Sequence, residues 1–220
     1  MSKDLRFSLE LIDSTPTIAK KILKAIAEEF NNRMLNRMPN IEYQIHNLTI
    51  QHIKATDTYD SLVNGELAAH FGLPSASRQG MVDSIVDRVA NSIRIDFKPI
   101  RQFGKGFRGE TTINILVRDF SDVLNLTDAF VSTEKGQLLP WLNWLLIQGD
   151  RLIISEYDIN LVPGKGRSNM AVMIKDNAAA WRVPPQYAGT VANNWLTRAF
   201  KNNSKQYFDG IANILRRELQ

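Results

Sequence analysis

The chain has 220 residues, 44% of them hydrophobic and 23% charged, and this balance excludes a wholly disordered protein. It has no cysteine, which excludes disulfides, thiolate nucleophiles and cysteine-containing metal sites. The net charge of +4 comes without a dense run of lysine or arginine, so it leaves a direct nucleic-acid contact open but does not require one.

The first segment, residues 1–13, is a mixed lead-in without the apolar stretch of a signal peptide. No part of the sequence approaches the roughly 20 consecutive apolar residues that cross a bilayer. We therefore expect a chain that is synthesised in the cytoplasm and has no membrane partner.

The first predicted element is an amphipathic helix that begins at Thr15-Pro16, where a hydroxyl can cap and proline fits the first turn. Pro39 is expected to end this helix near Asn36, because proline breaks a helix interior. Apolar residues four apart predict its buried face: Ile18, Ile22, Ile26 and Phe30.

Further helical segments are predicted before residue 92. Residues 41–54 fit a helix or a strand, with helix favoured, and residues 59–62 and 67–71 form short helices around Gly65. Ser77 can cap the next helix. The inward positions of that helix are Met81, Ile85, Val86 and Val89.

Two β-hairpins are predicted from alternating apolar and polar residues. In the first, strands at 93–98 and 111–117 flank the glycine-rich turn 103–109; in the second, strands at 152–161 and 170–174 flank the basic loop 163–167. We expect both tips to be flexible and to contact acidic protein surface or DNA phosphates. The candidate contact residues are Lys105, Phe107, Arg108, Lys165 and Arg167.

Signatures of catalysis and of cofactor binding are incomplete. The motif G-x-G-x-x-G occurs at 104–109, but a strand follows it where a dinucleotide site needs a helix N-terminus. The three histidines lack the spacing of a helical metal pair. Glu156 and Asp158 could form a carboxylate pair, although a solvated strand face explains them as well. We expect no catalytic residue, no cofactor, no metal site and no enzymatic activity.

Aromatic residues mark two segments of the second half. Residues 138–146 predict a helix that is apolar on nearly every side, so Trp141 and Trp144 serve either the core or an intersubunit seat. Prolines fix an extended path between Trp181 and Tyr187, which could clamp a partner or the chain's own sheet. These four aromatic residues are the candidate interface residues.

A helical pattern weakened at 202–204 ends the chain. The elements together predict one α+β domain over residues 1–220. Its parts are N-terminal helices in 1–92, a mostly antiparallel sheet with long basic hairpins and an inserted helix in 93–189, and a C-terminal helix in 190–220.

The order of motifs across roughly residues 138–200 is distinctive. An apolar W-L helix leads to a G-D-x-x-I-I strand, a basic hairpin, W-x-V-P-P-x-x-A-G-T, and a helix with T-R-A. This layout resembles virion structural proteins of tailed bacteriophages that are grouped with neck or head–tail connection components. Residues 59–73 are of the same style.

The resemblance implies a structural subunit of a homo-oligomeric ring, such as a neck protein, head–tail connector or tail terminator. Such a ring joins the portal side to the tail and lets DNA pass. The implied partners are further copies of the chain, neighbouring virion proteins (portal or connector, tail tube or sheath) and, transiently, the packaged DNA. The implied location is the virion. A sheath-end or baseplate protein and a DNA-binding module are the alternatives.

Overall fold

A computed structural model describes residues 14–115, 120–133 and 136–220; the lead-in 1–13 and the end of the predicted strand 111–117 lie outside them. The helices are α1 (Thr15–Lys54), α2 (Asp57–Val63), α3 (Glu66–His70), α4 (Arg78–Asn91), α5 (Ser121–Leu124), α6 (Leu142–Leu146), α7 (Trp195–Asn202) and α8 (Ser204–Leu219). The strands are β1 (Arg94–Phe103), β2 (Gly106–Asn114), β3 (Val131–Ser132), β4 (Leu138–Leu139), β5 (Ile154–Leu161) and β6 (Ala171–Trp181).

The predicted α+β class is confirmed, with all strand pairs antiparallel. Within the described ranges the strands form three separate two-stranded sheets, β1–β2, β3–β4 and β5–β6, and not one larger sheet. The two long hairpins were predicted, as were the helices α2, α3 and α4 and the break between α7 and α8 at Asn203. The predicted helix 138–146 is shorter, because its first residues form β4.

Helix α1 corrects the predicted helix end at Asn36. It runs through Pro39 to Lys54, and its 40 residues give it a length of about 60 Å. A proline inside a helix costs about 3 kcal/mol. Burial of Met34, Ile41 and Ile45 on both sides of the proline contributes roughly 1.5–3 kcal/mol per side chain and outweighs that cost. None of the described helices, α1 included, is both long and apolar enough to cross a membrane.

The predicted buried face of the first helix is wrong for the amino-terminal half of α1. Ile22 and Ile26 are 53% and 47% exposed, although their spacing indicates a core-facing stripe. Neighbouring elements pack only farther along the helix, where Ala27 and Met34 are the first buried residues. The helix therefore extends past the body of the protein with part of its apolar stripe uncovered.

The buried apolar residues form two clusters along α1. The main core gathers around the carboxyl end of α1, helices α2 to α4, α6 and α7, and includes Ile53, Phe71, Trp141, Trp181 and Trp195. The second core lies between the middle of α1, α8 and the β1–β2 hairpin, and includes Met34, Ile41, Ile45, Tyr207 and Ile211. The two long hairpins are thus attached to different cores, β1–β2 to the second and β5–β6 to the main one.

Asn31 joins the β1–β2 hairpin to α1. Its amide nitrogen donates to the carbonyl of Ile100, and its amide oxygen accepts from the N–H of Ile100, both at 2.9 Å. The side chain therefore pairs with the strand as a neighbouring strand would. It does so at the bulge between Lys98 and Arg101, where the β1–β2 register shifts.

Replacing Asn31 with alanine should destabilise the protein by about 1–3 kcal/mol, because both hydrogen-bonding groups of Ile100 lose their partner. Asn32, the next residue and an exposed one, offers the matched control. Urea unfolding of Asn32→Ala should match the wild type within about 0.5 kcal/mol. Equal stability of the two variants would show that the Asn31 bonds do not hold the hairpin.

Candidate functional site

The turn of the β1–β2 hairpin presents a surface that we call the basic tip: Arg101, Phe103, Lys105, Phe107 and Arg108. The two arginines are direct cross-strand partners, and the Arg108 guanidinium lies over the Phe103 ring at 5.6 Å. The phenylalanines stay in solvent, 67% exposed at Phe103 and 42% at Phe107. The predicted flexible basic hairpin therefore carries its cations and aromatic rings together at one end.

The charge of the basic tip is not balanced within the hairpin. Lys98 and Glu110 form a cross-strand ion pair at 2.7 Å, and their hydrogen bond raises the pKa of Lys98 and lowers that of Glu110. Between these two residues and the turn, the sequence contains cations but no carboxylate. Like charges directly opposite each other in a hairpin are destabilising, so the pairing of Arg101 with Arg108 favours an anionic partner.

The second basic loop is different from what the sequence predicts. The Arg167 guanidinium donates to the carbonyls of Gly72 and Phe71, just after α3, and the Arg167 carbonyl accepts from the N–H of Ser75 at 3.4 Å. This arginine therefore fastens the loop to the segment that follows α3. Lys165 is exposed and remains a candidate contact residue.

Replacing Arg167 with alanine should lower the free energy of unfolding by about 1–2 kcal/mol, because carbonyls at the end of α3 lose a charged donor. The matched control is Lys165→Ala in the same loop, which should change stability by less than about 0.5 kcal/mol. Thermal unfolding followed by circular dichroism measures both. A loss at Lys165 as large as that at Arg167 would contradict this assignment.

The candidate interface residues Trp141 and Trp181 lie in the main core. Trp141 is fully buried and its indole N–H donates to the carbonyl of Asp128 at 2.9 Å. Trp181 is 7% exposed and meets the Phe71 ring edge-on at 5.8 Å. Of the alternatives left by the sequence, the structure supports core packing for Trp141 and a clamp against the chain itself for Trp181.

The other two candidate interface residues, Trp144 and Tyr187, are half-buried and pack against the main core. The carbonyl of Tyr187 accepts from Arg198 at 3.0 Å, and burial lowers the pKa of that arginine. Arg198 also binds the carbonyl of Ala188, at 3.1 Å, so it holds the proline-rich segment in place. The four aromatic residues therefore do not form one surface.

Histidines and carboxylates do not converge in the part of the chain that the structure describes, where no group of three or more His, Asp or Glu could hold a metal ion. His70 lies 3.5 Å from Glu66, and its ring meets Trp181 edge-on at 5.8 Å. Burial lowers its pKa, against the opposing charges of Glu66 and Asp158.

Two of the cavities among the described residues lie beside α7. The larger, about 680 Å³, is an open depression where α7 meets α8, and Leu48 and Gly210 line it. The smaller, about 310 Å³, lies beside α2 and is lined by Asp57, Trp195 and Arg198, among others. In the smaller cavity, the guanidinium of Arg198 is already engaged by main-chain carbonyls.

The β5–β6 hairpin carries an anionic surface, which we call the acidic patch: Glu156, Asp158, Ile174 and Asp176. The sequence indicated the carboxylates of Glu156 and Asp158, but not their neighbours across the hairpin. Asp158 and Ile174 are cross-strand partners, and the ladder is interrupted between Ser155 and Tyr157. Glu156 sits in that interruption with φ of 62°, a left-handed conformation unusual for glutamate. All four residues are exposed. Lys175 pairs across the ladder with Tyr157 and so lies on the other face of the hairpin from Asp158 and Ile174.

Comparisons of this chain with protein-family models, with curated proteins and with solved structures gave no match.

Proposed function

We propose that this protein is a structural subunit of a homo-oligomeric ring in the neck, head–tail connection or tail-terminator region of a tailed-phage virion. The observation that carries the proposal is apolar surface uncovered on projecting elements. Ile22 and Ile26 on α1 and Phe103 on the basic tip are each about half exposed or more. Side chains of this kind on a projecting helix and hairpin are typical of surfaces that another subunit covers.

The total surface supports assembly as well. The accessible area is 14328 Å², whereas a compact monomer of this length has about 10,000 Å². A chain with this much exposed surface is expected to cover part of it with further copies or with neighbouring proteins.

The hairpins provide a third argument for assembly. Each long sheet has two strands, and packing on one of the two cores stabilises it on one side only. The outer edges of β5 and β6 have no strand partner among the described residues. Open edges are templates for pairing with another chain. A ring would supply such partners on both sides of each subunit.

In the proposed role, the ring joins the portal side of the virion to the tail and lets DNA pass through its centre. The partners are further copies of the chain and the neighbouring portal, connector, tail-tube or sheath proteins. The proposal rests on the sequence resemblance for the virion and on the uncovered surfaces for the assembly.

A DNA-binding module is the second candidate, favoured by the basic tip. Cations beside exposed aromatic rings can follow a nucleic-acid backbone and stack on bases. A protein of this kind loses affinity for DNA steeply as salt increases. A sheath-end or baseplate protein would share the assembly properties, so it is distinguished by its position in the particle.

Size-exclusion chromatography with light scattering, combined with electron microscopy of the purified chain, tests the proposal. We expect ring-shaped oligomers, which Ile22→Glu/Ile26→Glu should dissociate because it places charges on the uncovered stripe. The control is Lys20→Gln/Lys24→Gln, which changes net charge equally on the opposite face of α1 and should leave rings intact. A chain that stays monomeric at every concentration would overturn the proposed function.

A further inference from the structure

The basic tip and the acidic patch are complementary surfaces. The tip brings Arg101, Lys105 and Arg108 with two exposed phenylalanines, and the patch brings three carboxylates with Ile174, which is 43% exposed. Each surface thus combines one sign of charge with apolar area, as the two sides of a specific protein contact do.

These two surfaces lie at different ends of the molecule. The tip lies beyond Ile100, which Asn31 fixes to α1, whereas the patch is on the hairpin that packs through Trp181 into the main core, together with Ile53. From Asn31 to Ile53 the helix rises about 33 Å. One chain does not bring the two surfaces together, so they are available to meet between chains.

Each surface is also unfavourable when isolated. Arg101 and Arg108 face each other across the tip, and carboxylates between their guanidinium groups would remove that repulsion. Glu156 holds its left-handed backbone conformation in an exposed position, and strained backbone of this kind concentrates where a protein binds or switches. Bidentate pairs between arginine and carboxylate are the strong form of this contact.

We infer that the basic tip of one copy docks on the acidic patch of the next copy, head to tail. The inference rests on the proposed ring function and names the contact that would build the ring. Because the two surfaces differ, the contact is heterologous, and repetition generates a closed ring or an open helix, depending on the rotation between copies.

Two reversed chains test the contact. The tip-reversed chain is Arg101→Glu/Arg108→Glu, and the patch-reversed chain is Glu156→Lys/Asp158→Lys. Each carries like charges on both surfaces and should self-associate about tenfold or more weakly than the wild type. An equimolar mixture of the two variants should associate again. The negative tip of the tip-reversed chain can bind the positive patch of the patch-reversed chain, and the wild-type tip of the latter can bind the wild-type patch of the former.

Sedimentation velocity at pH 7.5 in 50 mM and 500 mM NaCl gives the readout, with Lys201→Glu/Lys205→Glu as the control that matches the charge change of the tip reversal. Recovery in the mixture and weakening by salt support the contact.

If the wild type associates but the mixture does not recover, this contact is wrong while the ring proposal survives. If the wild type never associates, both fail. If only tip reversal abolishes binding to a 20-base-pair duplex and the mixture does not associate, DNA is the partner of the tip and the inference is overturned.

Discussion

An alanine at position 189 should destabilise the protein by about 3 kcal/mol or more, because its methyl group would meet main-chain atoms. A Cβ on Gly189 would lie 1.7 Å from the carbonyl oxygen of Leu145 and 2.4 Å from its carbon. The approach is this close because Gly189 donates to the carbonyl of Trp144 at 2.9 Å and accepts from the N–H of Gly149 at 2.8 Å. These bonds dock the segment after β6 on α6, and the methyl group would force the two apart.

Gly80 provides the matched control for Gly189→Ala. It lies within α4, and a Cβ there has no atom within 4 Å. Gly80→Ala should therefore stabilise the protein by roughly 0.5–1 kcal/mol through higher helix propensity and a less flexible unfolded chain. Urea unfolding followed by tryptophan fluorescence measures both variants. If Gly189→Ala keeps the wild-type midpoint, the close packing between α6 and the segment after β6 is wrong.

Truncating Trp141 to alanine should cost about 3–5 kcal/mol, because the side chain is fully buried and its removal leaves a cavity in the main core. The ring lies 5.8 Å from that of Phe71, at the contact between α3 and the start of α6. Loss of the indole also leaves the carbonyl of Asp128 without the hydrogen bond that it accepts at 2.9 Å. Thermal and urea unfolding should both show the loss.

Phenylalanine substitutions separate packing from hydrogen bonding. Trp141→Phe keeps most of the ring but removes the donor to Asp128, so it should cost about 1–3 kcal/mol. Trp144→Phe removes an indole N–H that is buried without a partner among the described residues, and it should change stability by less than about 1 kcal/mol. Equal losses in the two variants would contradict the distinct roles that we assign to these tryptophans.

Elements set by local sequence were predictable. The alternation around the turn 103–109 identified the β1–β2 hairpin, and the polar break at 202–204 identified the end of α7. The end of α1 was not predictable, because the residue that locally favours a break, Pro39, is overridden by packing against α8 and the hairpin. Propensity is a local property, whereas that packing depends on residues more than 50 positions away.

The surfaces were predictable only in part. Glycines and cations in sequence were enough to indicate the basic tip, but not to show that Arg167 turns back onto the end of α3, since this depends on where another helix ends. In the acidic patch, the alternation of β5 was enough to indicate the carboxylates of Glu156 and Asp158, but not the strand irregularity at Glu156. The spacing of Ile22 and Ile26 correctly indicated an amphipathic helix, but the sequence did not show that both side chains stay about half exposed.

Because α1 is one continuous helix, its length determines the distance between the regions at its two ends. Because one helix runs from the main core to the uncovered isoleucines, the spacing and the angular phase between these regions are fixed by residue count, at 1.5 Å and 100° per residue. Insertion of a single alanine between Ile26 and Met34 would turn the exposed stripe by more than a quarter of a revolution relative to the core, whereas seven inserted residues would nearly restore its direction and move it about 10 Å outward. The number of residues in α1 therefore determines both how far from the main core a neighbour binds to this stripe and in which direction it binds.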